Sequence, residues 1–250
     1  MLRSAVKSLL PSGARSGIRK RLIKLLLGYE LPGLSFSSGG EDVLLNYLFG
    51  FKNQGFFVDV GAYHPVAASN TYLFYLKGWR GINIDARPGS MSAFQAQRPD
   101  DINLELAVAD TDEELTYYSM NDGHSSMNTC SAEFVQYLNI AGDVTGEVKL
   151  RPVPLARVLD EHLPPGRGID FLTVDVEGME ASVLRSNDWL KYRPRVIMLE
   201  SFARLSAELF SDAAAQLLIT QGYRPIVKTT SEIVFLDGPY DLSPVGQIVL

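Results

Sequence analysis

The chain has 250 residues, of which 46% are hydrophobic and 21% charged. That composition argues against a disordered or membrane-spanning protein and suffices for one large domain rather than two. The net charge of −6 is uneven: residues 1–30 hold seven bases and the single acid Glu30, leaving 16 bases against 28 acids, a balance of −12, in the remainder. So acidic a body lacks the basic face that general nucleic-acid binding needs.

From Ile18 to Leu27 basic residues alternate with Ile18, Leu22, Ile23, Leu25, Leu26 and Leu27, and Gly28 follows at a helix C-terminus. Such a helix either docks on the domain with its bases solvated, or brings residues 1–28 into peripheral contact with an anionic membrane surface. No apolar run reaches the roughly 20 residues needed to span a bilayer, and the opening segment lacks the long apolar centre of a secretory signal. The expectation is a cytoplasmic protein, with peripheral attachment at the inner face of the membrane as the added option. Cys130 is the only cysteine, so an intrachain disulfide and a thiolate zinc cluster are excluded and a reducing compartment fits.

Residues 1–40 read as a basic helical arm and 41–250 as the main domain, with an irregular insertion at about 110–155 that carries short strands near Leu115 to Ser119 and Val148 to Val153. A helix is expected over Asp42 to Phe51. Strands are expected at Phe56 to Val60, Gly81 to Asp85, Asn103 to Val108, Asp170 to Asp175, Arg195 to Glu200, Tyr223 to Lys228 and Ile233 to Leu236. Helices fall near Ser69 to Lys77, Gly89 to Gln97 and Gly178 to Ser186. This alternation predicts an α/β fold with a mostly parallel, seven-stranded, Rossmann-like sheet and helices on both faces. The last two strands are separated only by Thr229, Thr230 and Ser231, too few residues for a crossover helix, so they should form an antiparallel hairpin. Tyr72, Phe74, Tyr75 and Trp79 have helical spacing and read as core.

Ligands of such sheets bind beyond the carboxyl ends of the strands, and acids recur there: Asp59 with Gly61, Asp85, Asp110, Asp175 with Glu177, and Glu200. Singly, each has an ordinary explanation in capping or turn formation; together they read as a site. Gly61 lets the backbone turn sharply beside a ligand. Asp85 lies 24 residues after Gly61, near the interval of about 20 at which an acid receives ribose hydroxyls. No G-x-G-x-x-G run is present to cradle a pyrophosphate. S-adenosylmethionine, which has a ribose and a cationic sulfur but no phosphate, suits these residues better.

The stretches FVDVGA, GINIDARPGSM, LELAVAD, RVLDEH and DFLTVDVEGMEASVL together resemble FkbM-type S-adenosylmethionine-dependent methyltransferases, from about residue 40 to about residue 237. A doubly wound sheet ending in a hairpin is also the pattern of class I methyltransferases. The resemblance implies O-methylation, commonly of sugar hydroxyls in glycolipids, polysaccharides or glycosylated natural products. It implies that Asp59, Gly61 and the adjoining loop residues Ala62 and Asn70 meet the cofactor, that Asp85 binds its ribose, that Ala107, Val108 and Asp110 flank its adenine, and that Asp175 and Glu177 stand beside the methyl donor. Where many relatives carry a further glycine after D-V-G-A, this chain has His64 and Pro65.

His64 and His124 are candidate general bases, since an unperturbed histidine titrates near neutrality; capping of the turn before Pro65 is the alternative for His64, and solvent for His124. Tyr63, His124 and Glu200 are candidate acceptor contacts. Asp175, Glu177 and Glu200 could also hold a hard divalent cation, but no dedicated ligand motif is visible, and acids facing a cationic donor explain them more simply, so no metal ligand is assigned. The competing functions are an NAD- or nucleotide-sugar-linked oxidoreductase and a non-catalytic membrane-associated binding module of the same fold.

Overall fold

The structure, a computed structural model, describes residues 34–201 and 211–239; the helix expected over Ile18 to Leu27 and the membrane contact of residues 1–28 lie outside the described residues. Nine strands are formed among the described residues: β1 (Phe56–Val60), β2 (Arg80–Asp85), β3 (Ile102–Glu105), β4 (Leu115–Met120), β5 (Val144–Leu150), β6 (Phe171–Val174), β7 (Val196–Glu200), β8 (Tyr223–Lys228) and β9 (Glu232–Asp237). Seven of them make one sheet in the order β3-β2-β1-β6-β7-β9-β8. Its strands are parallel except β9, which runs antiparallel to both β7 and β8. Without β4 and β5, this is the class I methyltransferase order, with the expected terminal hairpin.

Period-two alternation sends the strand side chains to two cores. Phe56, Val58, Val60, Leu172, Val174, Ile197 and Leu199 pack on one face, covered by α5 (Leu155–His162), α6 (Glu180–Arg185) and α7 (Ala213–Thr220). Phe57, Phe171, Val196 and Met198 pack on the other against Leu45 of α1 (Glu41–Leu48), Phe74 of α2 (Tyr72–Lys77) and Trp79. Phe74 and Trp79 are fully buried, and Tyr72 and Tyr75 nearly so, as their helical spacing predicts. Gly81 is required here by close approach: a Cβ would stand 2.1 Å from the Phe57 ring.

Asp59, two residues after Phe57 on β1, and its register partner Asn83 on β2 share this second side. Arg98, fully buried, pairs with Asp101 at 2.9 Å and donates to the Thr71 hydroxyl at 2.9 Å. Its guanidinium also lies over the rings of Phe57, Phe94 and Tyr75. It follows α3 (Met91–Gln97), whose Met91 and Phe94 cover Ala62.

Two elements differ from the sequence expectation in ways that shape the site. β3 ends at Glu105, not Val108, and residues 106–108 swing out of the sheet to form a wall of the cavity described below. Val108 then bridges Val153 instead of extending β3. The second ribbon strand begins at Val144 rather than Val148 and pairs antiparallel with β4, Leu115 opposite Leu150. Between them stand a 3-10 turn over Asp122–Met127 and α4 (Ala132–Tyr137), whose N-cap Ser131 accepts from the Phe134 amide at 3.1 Å. The sequence reading placed no helix at α4, α5 or α7. α5 carried the signal, with Leu155, Val158 and Leu159 on one face; α7 is apolar on most sides, so its periodicity is weak.

Among the described residues no helix is long and apolar enough to cross a membrane.

Candidate active site

Strand order reverses between β1 and β6, which opens a crevice at their carboxyl ends. A cavity of about 260 Å³ lies there. Gly61 sits at φ +88°, and a Cβ on it would stand 1.6 Å from the carbonyl oxygen of Asp175. The glycine is therefore demanded by the neighbouring strand end, whereas the sequence reading referred it to a ligand. The amides of Gly61 and Ala62 both donate to the Ile84 carbonyl, at 2.9 and 3.0 Å, tying β1's exit to β2.

Asp85 closes β2 and organises the loop beside it. One carboxylate oxygen accepts from the Tyr63 amide at 2.7 Å and the other from the Arg87 amide at 2.8 Å. Burial raises its pKa and these two amides oppose the rise. Tyr63 is held at φ +50°, a conformation that costs a non-glycine residue about 1–3 kcal/mol. Its hydroxyl lies 3.2 Å from that of Ser125, and Arg87 stacks on its ring while donating to its carbonyl at 3.0 Å. Asp59 faces the Thr71 hydroxyl at 2.7 Å, which in turn takes the bond from Arg98. Burial pushes the Asp59 carboxyl up to about 6, against the pull of Thr71 and Arg98.

The far wall is a cluster of acids. One oxygen each of Asp175, Glu177 and Glu200 lies within 4.8 Å of the others. Glu232 stands directly opposite Glu200 across the antiparallel β7–β9 pair, and Glu41 of α1 also reaches the cavity. Glu177, like Tyr63 and Ala68, is a non-glycine residue of this cavity at positive φ, +53°, followed by Gly178 at +95°. Glu180 holds this bend by accepting from the amides of Val176 and Gly178, each at 3.1 Å. The Thr129 hydroxyl donates to the Glu177 carbonyl at 2.6 Å, fastening the ribbon segment over the site. Burial, with mutual repulsion added, pushes Glu180 to about 7, Glu177 to about 8, Glu232 to about 9 and Glu200 to about 12; Asp175 is raised as well, chiefly by burial.

Residues 59–225 match the methyltransferase FkbM domain. The chain belongs to the FkbM methyltransferase family. No curated protein shows significant similarity to it. Among solved structures, an O-methyltransferase from Bacillus cereus in complex with SAH aligns at TM-score 0.38 and 10% identity, covering 94% of this chain and 96% of that one. A Klebsiella pneumoniae protein assigned as an O-methyltransferase aligns at TM-score 0.35 and 13% identity, covering 93% and 92%. Both likenesses are distant, and the fold of this methyltransferase is read from its own strand order.

Of the residues singled out in the sequence, Asp59, Gly61, Ala62, Tyr63, Asn70, Asp85, Ala107, Val108, Asp175, Glu177 and Glu200 all line the methyltransferase's cavity. Three stand apart. His64 is exposed and does not line it; its Nδ1 accepts from the amides of Val66 and Ala67 at 3.1 and 2.9 Å. A neutral ring so bonded carries its proton on Nε2 and has no lone pair free for a substrate proton. The capping alternative describes its contacts, and the geometry gives no support to a base. Asp110 points away: its carboxylate pairs with Arg185 and takes the Ser182 hydroxyl, and Arg185 holds its pKa low. Its place beside an adenine gains no support either. The side chain of His124 lies outside the described residues.

Sequence reasoning missed Glu41, Arg87, Thr129, Glu180 and Glu232. Glu180 had a signal, since an acid three residues after Glu177 at the opening of a helix caps amides readily. Glu232 had none, because its placement depends on the reversal of β9.

Proposed function

We propose that this FkbM-family methyltransferase uses S-adenosylmethionine to methylate a hydroxyl of a sugar, on a glycolipid, polysaccharide or glycosylated natural product. The observation that carries the reading is the charge of the cavity wall: among the described residues, Glu41, Asp59, Asp85, Asp175, Glu177, Glu200 and Glu232 face a single guanidinium, Arg87. Such a wall repels the pyrophosphate of a dinucleotide or nucleotide sugar and favours a cation. It therefore disfavours the oxidoreductase alternative.

S-Adenosylmethionine would supply a methyl group on a positively charged sulfur. Asp85 fits its ribose, because the two backbone amides fix the carboxylate and leave lone pairs directed into the cavity. Ala107 and Val108 offer an apolar wall for the adenine, and the acids at the ends of β1 and β6 suit the charged sulfur. Tyr63, in its strained loop, and the ribbon segment around Ser125 and Thr129 enclose the opposite side, where an acceptor would enter. Methyl transfer needs the acceptor oxygen aligned and its proton removed. Asp175 and Glu177 are the groups placed to receive that proton, since Glu200, pushed up to about 12, already holds one at neutral pH.

Calorimetry tests this reading. Binding of S-adenosylhomocysteine without binding of NAD is the expected result; NAD binding alone would establish the oxidoreductase, and binding of neither the non-catalytic module. Asp85→Asn keeps the shape but gives up the charge and one acceptor. Hydrogen bonds to charged groups contribute about 1.5–3 kcal/mol, so S-adenosylhomocysteine affinity should fall about 10- to 100-fold. Equal titration curves for the two proteins would remove Asp85 from the ribose.

A further inference from the structure

We propose that Asp175, Glu177 and Glu200 bind one hard divalent cation of the Mg²⁺ or Mn²⁺ kind, with Glu232 as a fourth oxygen donor through a coordinated water. The spacing fits. Oxygens that share an ion at 2.0–2.6 Å lie at most about 4–5 Å apart across it, and one oxygen from each of the three carboxylates falls within 4.8 Å of the others. An all-carboxylate set is the chemistry that suits Mg²⁺, Ca²⁺ and Mn²⁺.

A cluster of acids alone would say little, but Glu232 adds an independent observation. It is only 5% exposed, lines the cavity, and its Oε2 has no hydrogen-bond partner. Glu200, directly opposite it in the β7–β9 register, also has an unpartnered buried Oε2. Ionised together, two acids directly opposite on paired strands would destabilise the sheet, and a buried acceptor without a partner adds a desolvation cost. Among the described residues no basic side chain forms an ion pair with any of the four acids. Lys228, the base adjoining Glu232, directs its Nζ to the carbonyls of Ser201 and Thr230, at 3.0 and 3.4 Å. Two neighbouring strand ends thus bring three carboxylates together, the reversed β9 adds a fourth on the same cavity wall, and among the described residues the nearby Lys228 makes no ion pair with any of them. A divalent ion resolves both the repulsion and the orphaned oxygens. Its service to catalysis rests on the methyltransferase reading: bound to an acceptor hydroxyl, it would orient that oxygen and lower its pKa.

The test is Mn²⁺ uptake by the full chain near neutral pH, without methyl donor or acceptor, followed by loss of the free-ion paramagnetic resonance signal. One Mn²⁺ per chain is expected, displaced by excess Mg²⁺, with affinity at least tenfold weaker in both Glu200→Gln and Glu232→Gln. Circular dichroism establishes that each variant is folded. No uptake at millimolar Mn²⁺, or equal uptake by wild type and both folded variants, would overturn the site and leave protons or a cationic group of the acceptor as the neutralising charge. Since no donor is present, this outcome is independent of whether S-adenosylhomocysteine binds. The two proposals therefore fail separately.

Discussion

Replacing Glu177 with glutamine is expected to lower kcat by about 10²- to 10⁴-fold, the range over which a positioned proton acceptor contributes, while S-adenosylhomocysteine affinity stays at the wild-type value. Glutamine matches the size of the side chain. The fastening bond from Thr129 goes to the Glu177 backbone carbonyl, so it survives the change, as does the positive-φ bend capped by Glu180. What is lost is a carboxyl group that, pushed up to about 8, can take up and release a proton beside Asp175 and Glu200. Labelled methyl transfer into cell-envelope glycolipid and polysaccharide fractions would locate an acceptor, and single-turnover rates on it would make the comparison. A variant that turns over as fast as wild type would take Glu177 out of the chemistry and leave it a structural hinge of the loop.

The second large effect concerns stability. Burial pushes Asp59 up to about 6 in the folded protein, against about 3.9 in an unfolded chain. Between those two values the native state holds a proton that the unfolded state has released. Stability therefore falls as pH rises through this window, the reverse of the usual salt-bridged aspartate. Two pKa units correspond to about 3 kcal/mol, present below pH 4 and lost by pH 7. Asp59→Asn removes the titration while leaving an oxygen for the Thr71 hydroxyl. Urea unfolding of both proteins at pH 4 and pH 7 should show the variant gaining about 3 kcal/mol relative to wild type between the two conditions. Parallel pH dependences would mean that Arg98 and Thr71 keep Asp59 ionised throughout. If the gain is found, this protein sacrifices stability at neutral pH to keep a carboxylate beneath its cavity, as expected where a site is built from groups that folding alone would not retain.

Much of this architecture was legible because its central strands β1, β6 and β7 are buried on both faces and its elements are bounded by turns. The runs at residues 56–60 and 223–228 coincide with β1 and β8 to the residue, and the three residues between the last two strands dictated a hairpin on length alone. The acids at strand ends were legible for a related reason: in a parallel sheet, the residue that follows a strand's carboxyl end faces the crevice, whichever helix comes next. That rule found Asp85, Asp175, Glu177 and Glu200. It failed at Asp110, because β3 stops at Glu105 and the chain turns away before reaching it, toward Arg185 on α6.

His64 shows a different limit. A histidine in a loop beside the site has the right chemistry on paper, but the amides of Val66 and Ala67 occupy its Nδ1, and no periodicity reports which way a loop side chain turns. Glycine was ambiguous in the same manner. Gly61 marked a close approach, and the sequence could not say that the approaching atom is the Asp175 carbonyl.

By itself, then, the sequence determined the order of elements, the parallel sheet with its terminal hairpin, and a ring of acids at the strand ends, because each depends on local pattern and chain length. Only the tertiary structure decided which acids converge. Asp175, Glu177 and Glu200 meet because β6 and β7 are neighbours, and Glu232 joins them because β9 runs backward and sets its first residue opposite the last of β7. Charge repulsion between residues such as Glu200 and Glu232, on separate strands, is invisible until the backbone sets them opposite each other. There it becomes the strongest feature of the site.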